Sequence, residues 1–273
     1  CAAPGGLHGA AVQLPYPSVG ATENLIIAAA GTPAETKITG AAAEPEISDL
    51  LAYLRGCGAL IESQPDGAIL VQGREALTGC CCHAILPDRI EAATYLAAAA
   101  ITGGEITVYA SPEHLAAPLA ALRRMGCRIT TGEQSITLTA PEHLQGAGSI
   151  VTLPYPGFPT DLQAIFMALA AAAEGYTAFT ETVFPRRWAH VEELRRLGAD
   201  ITVVGSHAVI RGAPLIGSAL TCTDLRAGAA VVLAALAAKG ESSVTAISHI
   251  ERGYADFVPA LRHLGADICL TEV

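Results

Sequence analysis

One pattern recurs four times along this 273-residue chain, and a repeat of this period limits the fold more than any other feature. One kind of segment is a capping residue, a helix of small apolar residues, a glycine and a strand. It reads SVGATENLIIAAAGTPAETKITG, PDRIEAATYLAAAAITGGEITVYA, TDLQAIFMALAAAAEGYTAFTET and TDLRAGAAVVLAALAAKGESSVTAI. A second kind is an amphipathic helix ending in glycine and followed by a hairpin. It reads LLAYLRGCGALIESQPDGAILVQG, PLAALRRMGCRITTGEQSITLTA, VEELRRLGADITVVGSHAVIRG and VPALRHLGADICLTEV. Gly58, Gly126, Gly198 and Gly265 mark matching positions, 68, 72 and 67 residues apart.

Each copy therefore predicts helix, strand, helix, strand, strand. The glycine closing each second helix suits a left-handed cap, where a Cβ is unwelcome. Pro65-Asp66-Gly67 and Gly132-Glu133 suit tight hairpin connections. The first helices are apolar all round, which predicts that they are enclosed, and alanine lets their backbones approach closely. The expected class is α/β, with helices inside and sheets around them.

The starts of those helices carry acids. Thr160 to Gln163 has capping-box spacing, and Asp88 to Glu91 repeats it with an acidic cap. Asp161 and Asp224 then fall in a first turn, where the helix dipole favours a carboxylate. A purely capping role and a chemical one are both open for these aspartates.

Composition narrows the function. The formal net charge is −10, only Lys37 and Lys239 are lysines among 16 basic residues, and no basic block appears, so nucleic-acid binding is not expected. Clustered arginines can still make a local anion site in an acidic protein. The apolar runs 164–173 and 227–238 fall short of the ~20 residues of a membrane span, and no signal peptide is visible. Cys1, Cys57, Cys80, Cys81, Cys82, Cys127, Cys222 and Cys269 include no CxxC pair, which suits neither a disulfide framework nor a zinc site. Reduced thiols in a cytoplasmic protein are expected. Cys80-Cys81-Cys82-His83 is a weak soft-metal candidate, since adjacent strand side chains face opposite ways.

Seven stretches in order, YPSVGATEN, EPEISD, LPDRIEAATYL, FPTDLQA, TETVFPRRWAHVEEL, TDLRAGAA and HIERGY, resemble the bacterial UDP-N-acetylglucosamine 1-carboxyvinyltransferases. These enolpyruvyl transferases begin peptidoglycan synthesis, and the resemblance runs from about residue 10 to the end. It implies an inside-out α/β barrel fold of six repeat units in two domains, with the active site in the cleft between them. Four units are present. By resemblance, residues 1–85 are the last unit of the N-terminal domain and 86–273 the C-terminal domain. The chain is accordingly expected to be a fragment that lacks two partner units and does not turn over alone.

The family reaction moves the enolpyruvyl group of phosphoenolpyruvate to the 3′-hydroxyl of UDP-N-acetylglucosamine and releases phosphate. The resemblance implies that Asp161 takes the proton of that hydroxyl, and that Arg187, Arg226 and Arg252 line the phosphoenolpyruvate side, Arg252 with a catalytic part. Guanidinium forks suit carboxylate and phosphate. Asp224 resembles the family's second cleft aspartate. Tyr16, Pro17, Ser18 and Val19 match a loop over the uridine diphosphate, and Val183 and Asp88 join the substrate contacts. No metal and no organic cofactor is implied. The residues alone leave Arg187 open as a solvated charge and Arg252 as a partner of Glu251. Tyr16 stands where some members have lysine, Glu251 where aspartate is common, and Pro185-Arg186 where an acidic-asparagine pair is often seen. The family's loop acid, lysine and N-terminal arginines have no counterpart. A shikimate-pathway relative, or a non-catalytic repeat protein binding a nucleotide sugar or a partner chain, are the alternative readings.

Overall fold

The computed structural model describes residues 3–79 and 82–271. The chain divides into two compact units, one running up to Leu86 and including Pro154–Pro156, the other holding the rest.

In the first unit, β1 (Ala11–Gln13), α1 (Val19–Ala30), β2 (Glu35–Thr39), α2 (Pro45–Gly56), β3 (Leu60–Ser63) and β4 (Ile69–Gln72) follow in sequence. The sheet order is β1-β2-β4-β3, with β1 parallel to β2 and the other pairs antiparallel. Ile26, Ile38, Ile47, Leu51 and Val71 form the heart of its core. Only part of α1 is buried here, and Ile27 is 55% exposed. The expectation that every first helix is enclosed fails for α1, because within this unit α2 and one sheet cover a single side of it.

The second unit holds three further repeats. The first comprises α3 (Arg89–Thr102), β5 (Glu105–Val108), a 3-10 turn leading into α4 (Ala116–Arg124), β6 (Arg128–Thr131) and β7 (Ile136–Thr139). The next comprises β8 (Gly148–Val151), α5 (Gln163–Ala172), β9 (Tyr176–Thr180), α6 (His190–Arg196), β10 (Asp200–Val204) and β11 (His207–Arg211). The last comprises β12 (Ala219–Thr221), α7 (Leu225–Ala237), β13 (Ser243–Thr245), α8 (Ser248–Glu251) and α9 (Phe257–His263). Among the described residues the strands form sheets β5-β7-β6, β8-β9-β11-β10 and β12-β13.

Helices α3, α5 and α7 contact one another at the centre, and the sheets lie outside them. Ala93, Leu96, Ala97, Phe166, Ala168, Ala229, Ala230 and Leu233 are fully buried along their faces. This is the expected inside-out α/β arrangement. Burial of apolar surface at about 25 cal/mol per Å² supplies its driving force, and alanine-rich faces let three helices share one axis.

All four amphipathic helices end as their glycines predict. Gly58, Gly126, Gly198 and Gly265 have φ of 93°, 94°, 96° and 101°. The next residue's amide reaches back to Leu54, Leu122, Leu194 or Leu261 at 3.0–3.1 Å, and the glycine amide to the carbonyl one residue after that leucine at 2.9–3.0 Å. This is a Schellman closure repeated four times. The hairpins at Asp66-Gly67 and Gly132 also form, with Asp66 Oδ1 accepting from the Ala68 amide at 3.0 Å.

Three differences stand out. Strands β1, β8 and β12 precede their repeats' first helices and pair parallel with the next strand. At three or four residues they are too short to show a period of two. The hairpin expected after Gly265 is absent, because residues 266–271 form no strand and have no second strand among the described residues to pair with. Third, α5 lacks the capping box expected at Thr160–Gln163. A 3-10 turn over Thr160–Leu162 precedes α5, and Thr160 makes no cap bond.

Cys57, Cys127 and Cys222 are buried free thiols, and Cys82 and Cys269 exposed ones. Cys1, Cys80 and Cys81 lie outside the described residues, so the triple-cysteine cluster does too. His83 turns to Asp49 instead, at 3.0 Å. Among the described residues no helix is long and apolar enough to cross a membrane.

Candidate functional site

The starts of α3, α5 and α7 come together because the helices share a centre and run the same way within their repeats. Two of the three acids there cap their helices. Asp88 Oδ1 accepts from the amides of Ile90 and Glu91 at 2.7 and 3.0 Å. Asp224 Oδ1 accepts from Arg226 and Ala227 at 2.9 and 2.8 Å. Each satisfies amides that the helix leaves open.

Asp161 does neither of the things a cap does. Its Oδ1 accepts from Arg187 Nη1 at 2.7 Å, and its Oδ2 from Arg226 Nη2 at 3.2 Å. The 3-10 turn aims the carboxylate away from its own helix and towards two guanidiniums. With 38% of its side chain exposed, it stays open to solvent and to a ligand. Burial pushes its carboxyl upward, but Arg187 and Arg226 outweigh that and hold it below the usual carboxylate range. At neutral pH Asp161 is ionised.

Both arginines are themselves held. Arg226 Nη1 donates to Tyr254 Oη at 3.0 Å, with the guanidinium 5.4 Å from the ring centre. Thr94 Oγ1 donates to the Ile90 carbonyl at 2.8 Å, so its contact with Tyr254 Oη at 2.9 Å must be one in which tyrosine donates. The order Arg226, Tyr254, Thr94, Ile90 is thereby fixed. Tyr254 is 1% exposed, and burial raises its hydroxyl against the opposing pull of Arg226. Burial works against the Arg226 charge, while Tyr254 and Asp161 raise it further, and Asp88 adds to that from the start of α3. Arg187 lies 5.5 Å from the Phe184 ring centre and gives a second bond, at 3.1 Å, to Thr160 Oγ1. It is an interior member of this cluster, which answers the solvated-charge reading.

Arg252 closes α8 two residues before Tyr254, is exposed, and makes no ion pair among the described residues, with Glu251 or any other acid. Its segment is bracketed by Ala246 and Asp256, both in the left-handed region at φ 58° and 51°. Val183 is half-buried, its amide bonded to Glu181 Oε1 at 2.8 Å. In the first unit, Ser18 caps α1, its Oγ accepting from Ala21 at 3.4 Å and its amide bonding to the Tyr16 carbonyl at 2.8 Å. Val19 is the first residue of α1, Pro17 lies in the turn before it, and Tyr16 is 42% exposed.

The second unit thus brings together Asp161, Arg187 and Arg226 directly, with Asp224 and Asp88 on the adjacent helix starts. Four participants had no role at the site assigned from the sequence: Tyr254, Thr94, Glu181 and the Thr160 hydroxyl, which was expected only to cap a helix. Tyr254 sits inside HIERGY and Glu181 inside TETVF, so motif membership was the available signal. His190 is a fifth. It is 1% exposed with Nε2 3.0 Å from Met167 Sδ, and burial, aided by Arg187 and opposed by Asp224, lowers it to about 4. Chemically, a permanently charged carboxylate held between two arginines can receive a hydroxyl proton while the arginines receive an anion.

The sequence model of the family described as EPSP synthase (3-phosphoshikimate 1-carboxyvinyltransferase) matches residues 2–261. A UDP-N-acetylglucosamine 1-carboxyvinyltransferase 1 of Symbiobacterium thermophilum is 48% identical over 264 residues, covering 96% of this chain and 59% of that protein. A UDP-N-acetylglucosamine 1-carboxyvinyltransferase of Synechocystis sp. is 47% identical over 272 residues, covering 97% and 61%. The chain therefore spans about three-fifths of the length of these curated relatives. Among solved structures, the enolpyruvyl transferase NikO of Streptomyces tendae superposes with a TM-score of 0.83 at 29% identity, covering 92% of this chain and 60% of the other. An EPSP synthase of Acinetobacter baumannii superposes with a TM-score of 0.72 at 19% identity, covering 98% and 65%, which speaks to the fold alone.

Proposed function

The chain belongs to the EPSP synthase family of 1-carboxyvinyltransferases, and on that premise we propose that it carries the greater part of an enzyme moving the enolpyruvyl group of phosphoenolpyruvate to the 3′-hydroxyl of UDP-N-acetylglucosamine. Phosphate leaves, and the product enters peptidoglycan synthesis. Relatives of that name at 46–48% identity support this acceptor over a shikimate one, whose structural neighbour is 19% identical. The same reading carries the family's division of residues 1–85 and 86–273 between two domains, and a cytosolic location.

The observation that carries the proposal is the Asp161 carboxylate shared between Arg187 and Arg226. In the reaction the arginines bind the carboxylate and phosphate of the donor, with exposed Arg252 as a third cation. Turning towards that anion, they loosen their hold on Asp161. Its proton affinity then rises when the acceptor hydroxyl arrives, so the resting pair is a base kept in reserve. Asp224 and Asp88 hold the neighbouring helix starts. In the first unit the amides beginning α1 at Val19, with Tyr16, Pro17 and Ser18, suit the pyrophosphate of the nucleotide sugar, and Val183 suits its sugar end.

The test is phosphate release from phosphoenolpyruvate by the full-length gene product, with and without UDP-N-acetylglucosamine. Release that requires this acceptor, and is not supported by shikimate 3-phosphate, is expected. Release with shikimate 3-phosphate alone, or with neither, overturns the proposal.

A further inference from the structure

Glu181 follows β9 directly and is fully buried, yet among the described residues no lysine or arginine pairs with it. Four donors surround its carboxylate instead. Oε1 accepts from Thr152 Oγ1 at 2.8 Å, from the Val183 amide at 2.8 Å and from the Phe184 amide at 2.9 Å. Oε2 accepts from Thr160 Oγ1 at 2.9 Å. Thr152 is tied in turn to the next residue, its Oγ1 accepting from the Thr182 amide at 2.9 Å and its carbonyl accepting from Thr182 Oγ1 at 2.5 Å.

The Thr160 bond has a direction. A hydroxyl has one proton, and here it points at Glu181 Oε2. Thr160 therefore spends its proton on Glu181 and presents lone pairs to Arg187 Nη1, 3.1 Å away. The same Nη1 reaches Asp161 Oδ1 at 2.7 Å. The acceptor on one side of the Thr160 hydroxyl thus sets where the Arg187 guanidinium sits on the other. A buried carboxylate is a costly way to pin a loop unless its charge is used, because neutral acceptors would satisfy the same amides.

We propose that Glu181 is a positioning residue for the transfer reaction: through the Thr160 hydroxyl it orients Arg187 on Asp161, and through the Val183 and Phe184 amides it fixes the loop that carries the sugar contact. The inference rests on the function proposed above, but the geometry it invokes does not depend on which acceptor is used. Asp161 is faced by Arg187 and Arg226, with His190, Asp224, Asp88 and Tyr254 on the surrounding elements, so a change confined to Arg187 is readable against a fixed background.

Glu181→Gln keeps the shape and replaces one acceptor with a donor. If the amide nitrogen faces Thr160, that hydroxyl loses the acceptor for its proton and must accept from the amide as well as from Arg187, so it rotates and shifts the Arg187 contact. The expected result in the full-length gene product is a kcat reduced about tenfold or more, with the KM for the nucleotide sugar changed less than about threefold. The Asp161 carboxyl, followed by 13C NMR, should titrate at higher pH than in the parent protein. Thr160→Val should give the same two changes without touching the other three bonds to Glu181, and Thr160→Ser should reverse both. The Thr160 pair alone carries the test if Glu181→Gln does not fold. Unchanged kcat and unchanged Asp161 titration in Thr160→Val overturn the relay and leave Glu181 a loop anchor. A shifted titration in a protein that fails the phosphate-release test leaves the relay standing and removes the proposed reaction.

Discussion

Arg226 and Asp161 stand 65 residues apart in sequence, in the first turns of successive repeats, and meet at 3.2 Å. Asp161 gives none of its oxygens to its own helix, whereas Asp224, at the matching position, gives Oδ1 to two helix amides. The repeat has therefore been used twice with different outcomes, once to cap and once to hold a charge in the open.

That contrast predicts how two asparagine variants differ. Asp161→Asn removes no cap, so its stability should change by less than about 1 kcal/mol, while turnover in the full-length gene product falls about a hundredfold or more. Binding of UDP-N-acetylglucosamine should persist, since its proposed pyrophosphate contacts at Ser18 and Val19 and its sugar contact at Val183 are untouched. Calorimetric titration beside a turnover assay separates the two effects. Wild-type turnover in Asp161→Asn would sink the assignment of the base.

Asp224 should behave as a structural residue first. Asparagine is as good a cap as aspartate, so Asp224→Asn should melt near the parent, whereas Asp224→Ala should lose about 1 kcal/mol. Equal melting of all three proteins would mean that the two amide bonds contribute nothing.

The arginines holding Asp161 predict a response to anions. Phosphoenolpyruvate bound between Arg187 and Arg226 offsets the charges that keep the carboxyl low, so its titration should move up by about one unit. Inorganic phosphate at matched ionic strength should produce a smaller shift in the same direction. A titration indifferent to phosphoenolpyruvate would mean that the anion binds elsewhere. The stability side carries the opposite sign. A carboxyl lowered by folding stabilises the protein above its unfolded value of 3.8, and that contribution disappears as pH falls through the folded value.

His190 gives a separate pH window. Its folded value of about 4 lies below the ordinary histidine value of 6.5, so the unfolded chain takes up this proton first. Stability should therefore decline as pH drops from about 6.5 to 4, by at most roughly 3 kcal/mol from this residue. In His190→Gln that part of the slope should flatten, as read from urea melts at pH 4.5, 5.5 and 7. An unchanged slope would show that His190 is protonated inside the fold.

What the sequence made legible follows from which interactions are local. Gly58, Gly126, Gly198 and Gly265 close helices through bonds within six residues, and the Asp88 and Asp224 caps act within three, so their patterns are visible in the chain itself. Thr160 has the same local signature, yet its hydroxyl is taken by Glu181, 21 residues later, and a distant partner overrides local spacing. Tyr254 and Thr94 meet across 160 residues, which no periodicity records. Of the site residues named from family motifs, Arg187 and Arg226 bond Asp161 directly, but the groups orienting them were legible only as letters inside those motifs.

Tyr254 yields the last prediction. Its hydroxyl is the acceptor for Arg226 and the donor to Thr94, so Tyr254→Phe removes both bonds while keeping the ring beneath the guanidinium. Thr94 retains its bond to the Ile90 carbonyl, and Arg226 retains Asp161, so no buried group loses every partner. The stability loss should then stay near the ~1 kcal/mol of one net hydrogen bond. Arg226 loses one of its two anchors, and a misplaced guanidinium should slow turnover about tenfold or more. Thr94→Val acts further back on the same chain, freeing the Tyr254 hydroxyl to turn. Its effect on turnover should be smaller, and the double variant should be no slower than Tyr254→Phe alone, because both changes break a single path. Additive losses in that cycle would show that Thr94 and Tyr254 act on turnover separately, and that the path from Ile90 to Arg226 is not one device.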